Sequence, residues 1–313
     1  MNDFTLIVPT HNRHHYLKRS IEYFKELNAR VIYCDSSQVK YSGVLPSNIE
    51  YLHTPNLKFA EKILNAISVV NTSKIALCAD DDFILLESLS KGDEFLKNHF
   101  EYSTVVGQYA GFKKDFDGIF FEMYKWYDSD KNINGDAINN AKTFFSDYHQ
   151  ILWSMYRKEV IKSAFEVIVK SEFKNENFIE LTIGACACLK GGIKIFNDLW
   201  GVREVNDDDH WAVLHLPLSI APKKMLIEDS SHFKKSMDAI AFDGYSDIVL
   251  DTYLKNQLKH SSSIIRKLKN IFPNSIKKII KKNLYKKNEI INPIGNKNRS
   301  QLEKISHILL NHF

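Results

Sequence analysis

At 313 residues with a 44% apolar share, the chain can build one large α/β domain with an appendage around a sizeable core. No stretch approaches the roughly 20 uninterrupted apolar residues of a membrane span, and the N-terminus begins Met-Asn-Asp-Phe without a basic leader, so a cytosolic protein is expected. The net charge of +4 hides a division: residues 1–254 carry 28 Lys and Arg against 36 Asp and Glu, whereas residues 255–287 carry 11 basic residues and no acid.

The first predicted strand, Phe4-Thr-Leu-Ile-Val8, is a β-rich run ended by Pro9, and Leu17, Ile21, Phe24 and Leu27 then repeat at helical spacing over 16–27. A second strand over 29–34 ends at Asp35-Ser36-Ser37. A third covers 49–53, a helix follows over 59–70, and a strand over 73–79 delivers Asp80-Asp81-Asp82. Alternating strands and helices predict a mostly parallel sheet flanked by helices on both faces. Asp35 and the aspartate triplet then fall at carboxyl strand ends, on one rim, where open α/β sheets bind ligands. Three adjacent carboxylates repel one another, so a cation is expected there, and hard oxygen donors suit Mg²⁺ or Mn²⁺. The plainer reading has Asp82 capping a helix from about Phe83 to Asn98. Neither G-x-G-x-x-G after the first strand nor G-x-x-x-x-G-K-[ST] occurs, which excludes a dinucleotide-binding Rossmann domain and a P-loop enzyme.

Beyond Tyr102 the pattern predicts strands over 103–109 and 118–124, an Asn- and Asp-rich loop over 128–140, a strand over 151–155 and a helix over 158–170. A further helix over 178–189 is closed by Gly191-Gly192, and a strand over 193–202 returns to the sheet. Cys34, Cys78, Cys186 and Cys188 lack metal-ligand spacing and are expected as buried thiols. The expected division is a catalytic domain over 1–225, with halves 1–115 and 116–225, and a helical extension over 226–313. Within that extension Ile264, Ile265, Leu268, Ile271 and Phe272, then Ile276, Ile279, Ile280 and Leu284, recur at helical spacing between lysines. Such helices either meet an anionic membrane surface or pack on the acidic body. Nucleic acid is not an expected partner, because Phe272 and Tyr285 are the segment's only aromatics.

Four segments, Thr5-Leu-Ile-Val-Pro-Thr-His-Asn-Arg13, Cys34-Asp-Ser-Ser37, Asn56-Leu-Lys-Phe-Ala-Glu-Lys-Ile-Leu-Asn65 and Leu77-Cys-Ala-Asp-Asp-Asp-Phe83, resemble in order and spacing glycosyltransferase family 2, with its GT-A fold. The resemblance covers residues 4 to 115 well and continues more loosely to about 215. It implies a nucleotide pocket lined by Pro9, Thr10, Arg13 and Ser36, with Asp35 accepting from the base and Lys62 near base or phosphate. Asp80 would contact ribose, Asp82 would ligate Mn²⁺ or Mg²⁺, and Asp81 would support them; a register using 80 and 81 remains open.

The family's inverting chemistry also implies a carboxylate base at the start of a helix in the acceptor half. Glu180 is the first choice, Glu176 the second and Asp147 the third. His210 is a candidate further metal ligand, Trp153 and Trp211 are candidate sugar platforms, and Arg203 could bind diphosphate or pair with a neighbouring acid. Without a Gln-x-x-Arg-Trp sequence or a membrane bundle, transfer of one sugar at a time is expected, from a UDP-sugar by preference, onto a bacterial surface glycan or lipid-linked saccharide. A metal-dependent nucleotidyl- or polyol-phosphate transferase and a non-catalytic glycan- or membrane-binding module are the alternatives.

Overall fold

The computed structural model describes residues 2–115, 118–123, 128–205, 218, 221–261 and 298–312. Among the described residues ten strands form one mixed sheet: β1 (Phe4–Thr10), β2 (Arg30–Asp35), β3 (Ile49–His53), β4 (Lys74–Leu77), β5 (Phe83–Ile84), β6 (Tyr102–Asp115), β7 (Gly118–Met123), β8 (Lys131–Ile133), β9 (Met155–Arg157) and β10 (Gly192–Glu204). The order is β3-β2-β1-β4-β9-β6-β10-β5, with β7 paired to β6 and β8 to β10. The first four strands are parallel, in a register that sets Thr10 opposite Asp35 and Phe4 opposite Lys74. β9 enters antiparallel between β4 and β6, and β10 runs parallel to β6.

The helices follow their apolar stripes. α1 (His14–Phe24) buries Leu17, Ile21 and Phe24, and α2 (Phe59–Ser68) buries Ile63, Ala66 and Ile67. At the start of α2 the Glu61 carboxylate accepts from the Lys58 amide at 2.8 Å, which satisfies one of the orphan donors of the first turn. α3 (Leu86–Asn98) starts later than the sequence suggests, because Phe83 and Ile84 are taken by antiparallel pairing with Val202 and Gly201. Asp82 is therefore no helix cap, and the plainer reading of that residue is corrected.

The segment expected as a loop over 128–140 instead holds β8 and the start of α4 (Ala137–Ser146), whose cap is Asp136 accepting from the Asn139 amide at 2.8 Å. α5 (Lys158–Ser171) and α6 (Asn177–Lys190) match their predicted spans closely. α6 does stop at Gly191, but through close approach rather than a left-handed turn: a Cβ there would lie 2.8 Å from the Glu101 carbonyl oxygen. The strand expected over 151–155 forms two to four residues later, as β9.

Three further helices complete the described chain: α7 (Lys223–Asp238), α8 (Tyr245–Ser261) and α9 (Arg299–Asn311). α7 packs on α5, α8 on α4, and α9 on α1 and β7. Phe233, Met237, Tyr245, Val249, Tyr253, Ile305 and Leu309 join the same apolar core as the sheet. α9 also reaches the start of α3, where the Gln301 side chain accepts from the Leu86 amide at 2.9 Å. All four cysteines are buried thiols, as expected. Among the described residues no helix is long and apolar enough to cross a membrane. Most of the basic segment 255–287 lies outside the described residues.

Candidate active site

The carboxyl ends of β1, β2 and β4 deliver Thr10, Asp35 and the Asp80–Asp82 loop to one rim. Thr10 donates its hydroxyl to Asp80 at 2.6 Å, and Arg13 pairs with Asp80 at 3.0 Å and also with Asp81. Asn12 adopts the left-handed region (φ 55°), a conformation Asn tolerates, and its amide donates to the Ser37 hydroxyl at 2.7 Å. The loop is thus held on one side by the β1–α1 turn. On the other, Arg19 donates to the Asp81 carbonyl oxygen at 3.2 Å while pairing with Glu204, and Arg203 lies 3.5 Å from Asp82.

Asp80 and Asp82 are almost fully buried, and burial pushes both carboxyl groups above the ordinary carboxylate range. Arg13 and Arg203 oppose that rise, whereas the negative neighbour Asp81 adds to it. Two buried carboxylates short of positive charge are the hard-oxygen type of donor that divalent cations take. No group of three or more His, Cys, Asp or Glu able to hold a metal ion occurs among the described residues.

Asp35 is fully buried and saturated. One oxygen accepts from the Ser37 amide at 2.7 Å and its hydroxyl at 2.5 Å; the other accepts from Tyr51 at 2.5 Å and lies 3.0 Å from His14 Nε2. These partners hold its carboxyl below the ordinary range against the opposing effect of burial. Around it His14 meets Tyr41 edge-on, with ring centroids 5.6 Å apart, and Tyr51 stacks on His53 at 6.2 Å. Asp35 thereby orients an aromatic wall. Pro9 is buried in β1 opposite Cys34. Lys62 is buried too, donating to the Thr10 carbonyl oxygen at 2.5 Å and to Ser36 at 3.2 Å; burial depresses its pKa. Ser36 also lies 3.0 Å from His11 Nδ1.

Glu180 sits in the first turn of α6 and is 6% exposed. One of its oxygens accepts from Tyr148 at 2.8 Å, and the other accepts from the Gln150 side-chain amide. The Gln150 carbonyl oxygen accepts in turn from Arg203, whose guanidinium lies 4.2 Å from the Tyr109 ring centroid. Side chains from the segment after α4, from α6 and from β10 thus make a continuous chain between Asp82 and Glu180.

The other candidates stand elsewhere. Glu176 precedes α6 at its cap without a side-chain capping bond. Asp147 follows α4, half-exposed and paired with Lys131. Trp153 is half-buried, with its ring 6.4 Å from that of Phe59 and its carbonyl oxygen accepting from Tyr109 at 2.7 Å. His210 and Trp211 lie outside the described residues. Sequence reasoning missed His14, Tyr51, Tyr148 and Gln150. His14 had a faint signal in the His-rich turn after the first strand, and the other three had none.

The mostly parallel α/β sheet flanked by helices matches a GT-A-like glycosyltransferase fold. Solved structures agree: the chain superposes on S. aureus TarS 1-349 in complex with UDP-GlcNAc at a TM-score of 0.57 and 14% identity, over 82% of this chain and 73% of that one. The complex of the same fragment with UDP gives 0.54 and 13% over 84% and 72%. Another TarS structure gives 0.52 and 14%, and there the match covers 83% of this chain but only 44% of that one. No family model matches the sequence, and no curated protein does.

Proposed function

We propose that the chain is a glycosyltransferase of the family-2 kind that moves a single sugar, with inversion, from a nucleotide-sugar donor to an acceptor hydroxyl. A UDP-sugar is the favoured donor. The observation that carries this reading is the rim itself, where buried Asp80 and Asp82 sit in excess negative charge beside Thr10, Arg13 and the aromatic wall oriented by Asp35. The TarS complexes with UDP and UDP-GlcNAc support the choice of donor.

In this reading the wall of His14, Tyr41 and Tyr51 receives the base, and Asp35 acts by fixing that wall. Asp80 faces the ribose, and Asp80 and Asp82 would hold Mn²⁺ or Mg²⁺. When bound, that cation supplies positive charge against the leaving diphosphate. Arg13 and Arg203 flank the same place and add fixed donors. The acceptor oxygen forms a bond to the anomeric carbon as the bond to the diphosphate oxygen breaks. Its proton passes to Glu180, and the bonding pair leaves with the nucleotide. Glu180 is preferred to Glu176 and Asp147 because it is the candidate connected to Asp82. The acceptor we propose is a bacterial surface glycan or lipid-linked saccharide, approached from the inner membrane face with the basic segment as a peripheral anchor.

The test is thermal stability of the protein with UDP, GDP, CMP and TDP, each with and without Mn²⁺, repeated on Asp82→Ala. A metal-dependent rise with one nucleotide, about 2.7 kcal/mol at a hundredfold excess over its dissociation constant, is expected and should vanish in the variant. No rise with any nucleotide would overturn the donor site.

A further inference from the structure

The donor rim and the Glu180 carboxylate are joined through Arg203, which already serves the donor site, and Gln150, which no step above requires. Arg203 can only donate, so the Gln150 amide must turn its carbonyl oxygen toward it. The Gln150 NH₂ group is then left facing Glu180. Tyr148 supplies a second donor to the other Glu180 oxygen at 2.8 Å, and its own hydroxyl is kept protonated by burial. Glu180 therefore meets only donors from these neighbours, and each oxygen keeps a lone pair for a further proton. At the other end, Arg203 is braced against the Tyr109 ring at 4.2 Å and lies 3.5 Å from Asp82.

We propose that Gln150 is a positioning residue which, oriented by Arg203, aims the Glu180 carboxylate at the acceptor hydroxyl and ties its placement to the Asp82 end of the donor site. This rests on the glycosyltransferase reading and adds a specific role to a residue that touches neither donor nor acceptor in it. The polarity of the amide is the essential feature. An isosteric acid at position 150 would keep the bond from Arg203 but face Glu180 with an acceptor and a like charge.

The experiment compares the full-length wild type with Gln150→Glu, Gln150→Met and the exchange variant Gln150→Glu/Glu180→Gln. Three quantities are read: UDP affinity by calorimetry, turnover of a UDP-sugar to free UDP with water or sugar as acceptor, and melting temperature. The expected result for both single variants is a fall in kcat of about tenfold or more, with UDP affinity kept within about twofold, since a misplaced base loses much of a contribution of order 10²–10⁴. The exchange variant re-creates one amide and one carboxylate facing Arg203, so it should recover the melting temperature lost by Gln150→Glu while remaining inactive.

Wild-type turnover in Gln150→Glu would overturn the proposal. So would a parallel loss of kcat and UDP affinity in Gln150→Met, which would mark a structural prop. If the exchange variant regained stability but the wild type neither bound UDP nor turned over any UDP-sugar, the donor reading would fail. The catalytic role would fall with it, and Gln150 would remain a structural tie.

Discussion

The two carboxylate centres of this molecule are held in opposite ways. At the carboxyl rim of the sheet Asp80 and Asp82 are buried beside Asp81 and raised in pKa, with Arg13 and Arg203 offsetting only part of their charge. On α6 Glu180 is equally buried but receives neutral donors, one for each oxygen, from Tyr148 and Gln150. A carboxylate cluster left short of positive charge suits a cation that comes and goes with substrate. A carboxylate satisfied by neutral donors suits a proton acceptor that must stay in place between turnovers.

Substitution at Asp82 should break the comparison most visibly. Asp82→Asn keeps the shape but removes a buried charge, so turnover should fall about a thousandfold, or about 4 kcal/mol of transition-state stabilisation. The melting temperature of the nucleotide-free protein should not fall, because the substitution relieves the repulsion with Asp81 and the cost of burial. A loss of turnover accompanied by an equal loss of stability would show that the rim is a folding element.

Arg19 gives the converse case. Its side chain is 2% exposed, pairs with Glu204 and holds the Asp81 carbonyl oxygen. Arg19→Ala leaves Glu204 buried without its partner, and breaking such a pair costs about 3–5 kcal/mol of stability. Calorimetric melting should show the loss, and Arg19→Met/Glu204→Gln should recover part of it. Glu180→Gln comes next in size: turnover should fall about a hundredfold or more, while UDP affinity stays within about twofold, because the amide keeps the shape but cannot take the proton. A matching drop in UDP affinity would place Glu180 at the donor and remove the distinction between the two centres.

That these residues meet on one rim was legible in the sequence, because each part is local. Pro9, Asp35 and Asp80 to Asp82 stand at or just beyond the ends of apolar runs, and a parallel sheet brings such ends together without further information. The role of Asp35 was less legible. Its saturation depends on Tyr51 from β3 and His14 from α1, which only the fold brings to it. The network around Glu180 draws on Tyr148, Gln150, Glu180 and Arg203, from three segments with no shared pattern. Gln150 carries no charge, no periodicity and no motif to mark it. The helix α4 was hidden by its own cap: Asn134, Gly135 and Asp136 read as loop, and a capping Asp looks the same whether a helix follows or not.

The smallest effect concerns His149, next to Gln150. Burial holds its ring neutral, with the pKa lowered to about 4, while nearby Arg203 and Lys131 act in the same direction. A hydrogen bond with the Gly107 backbone and the Asp147 charge oppose the shift. The unfolded chain takes up a proton near pH 6.5 and the folded chain does not, so this residue lowers stability as pH falls from about 6.5 toward 4 and has no effect above that window. Between pH 7.5 and 5.5 the wild type should lose about 1 kcal/mol relative to His149→Gln. The difference between the two proteins is the quantity to measure. Asp80 and Asp82, with raised pKa values, gain stability as pH falls through the same range and would mask the His149 effect in the wild type alone. If the difference stays flat from pH 7.5 to 5.5, the ring beside Gln150 is accessible to protons, and the acceptor side is less sheltered than the closed hydrogen bonding of Glu180 requires.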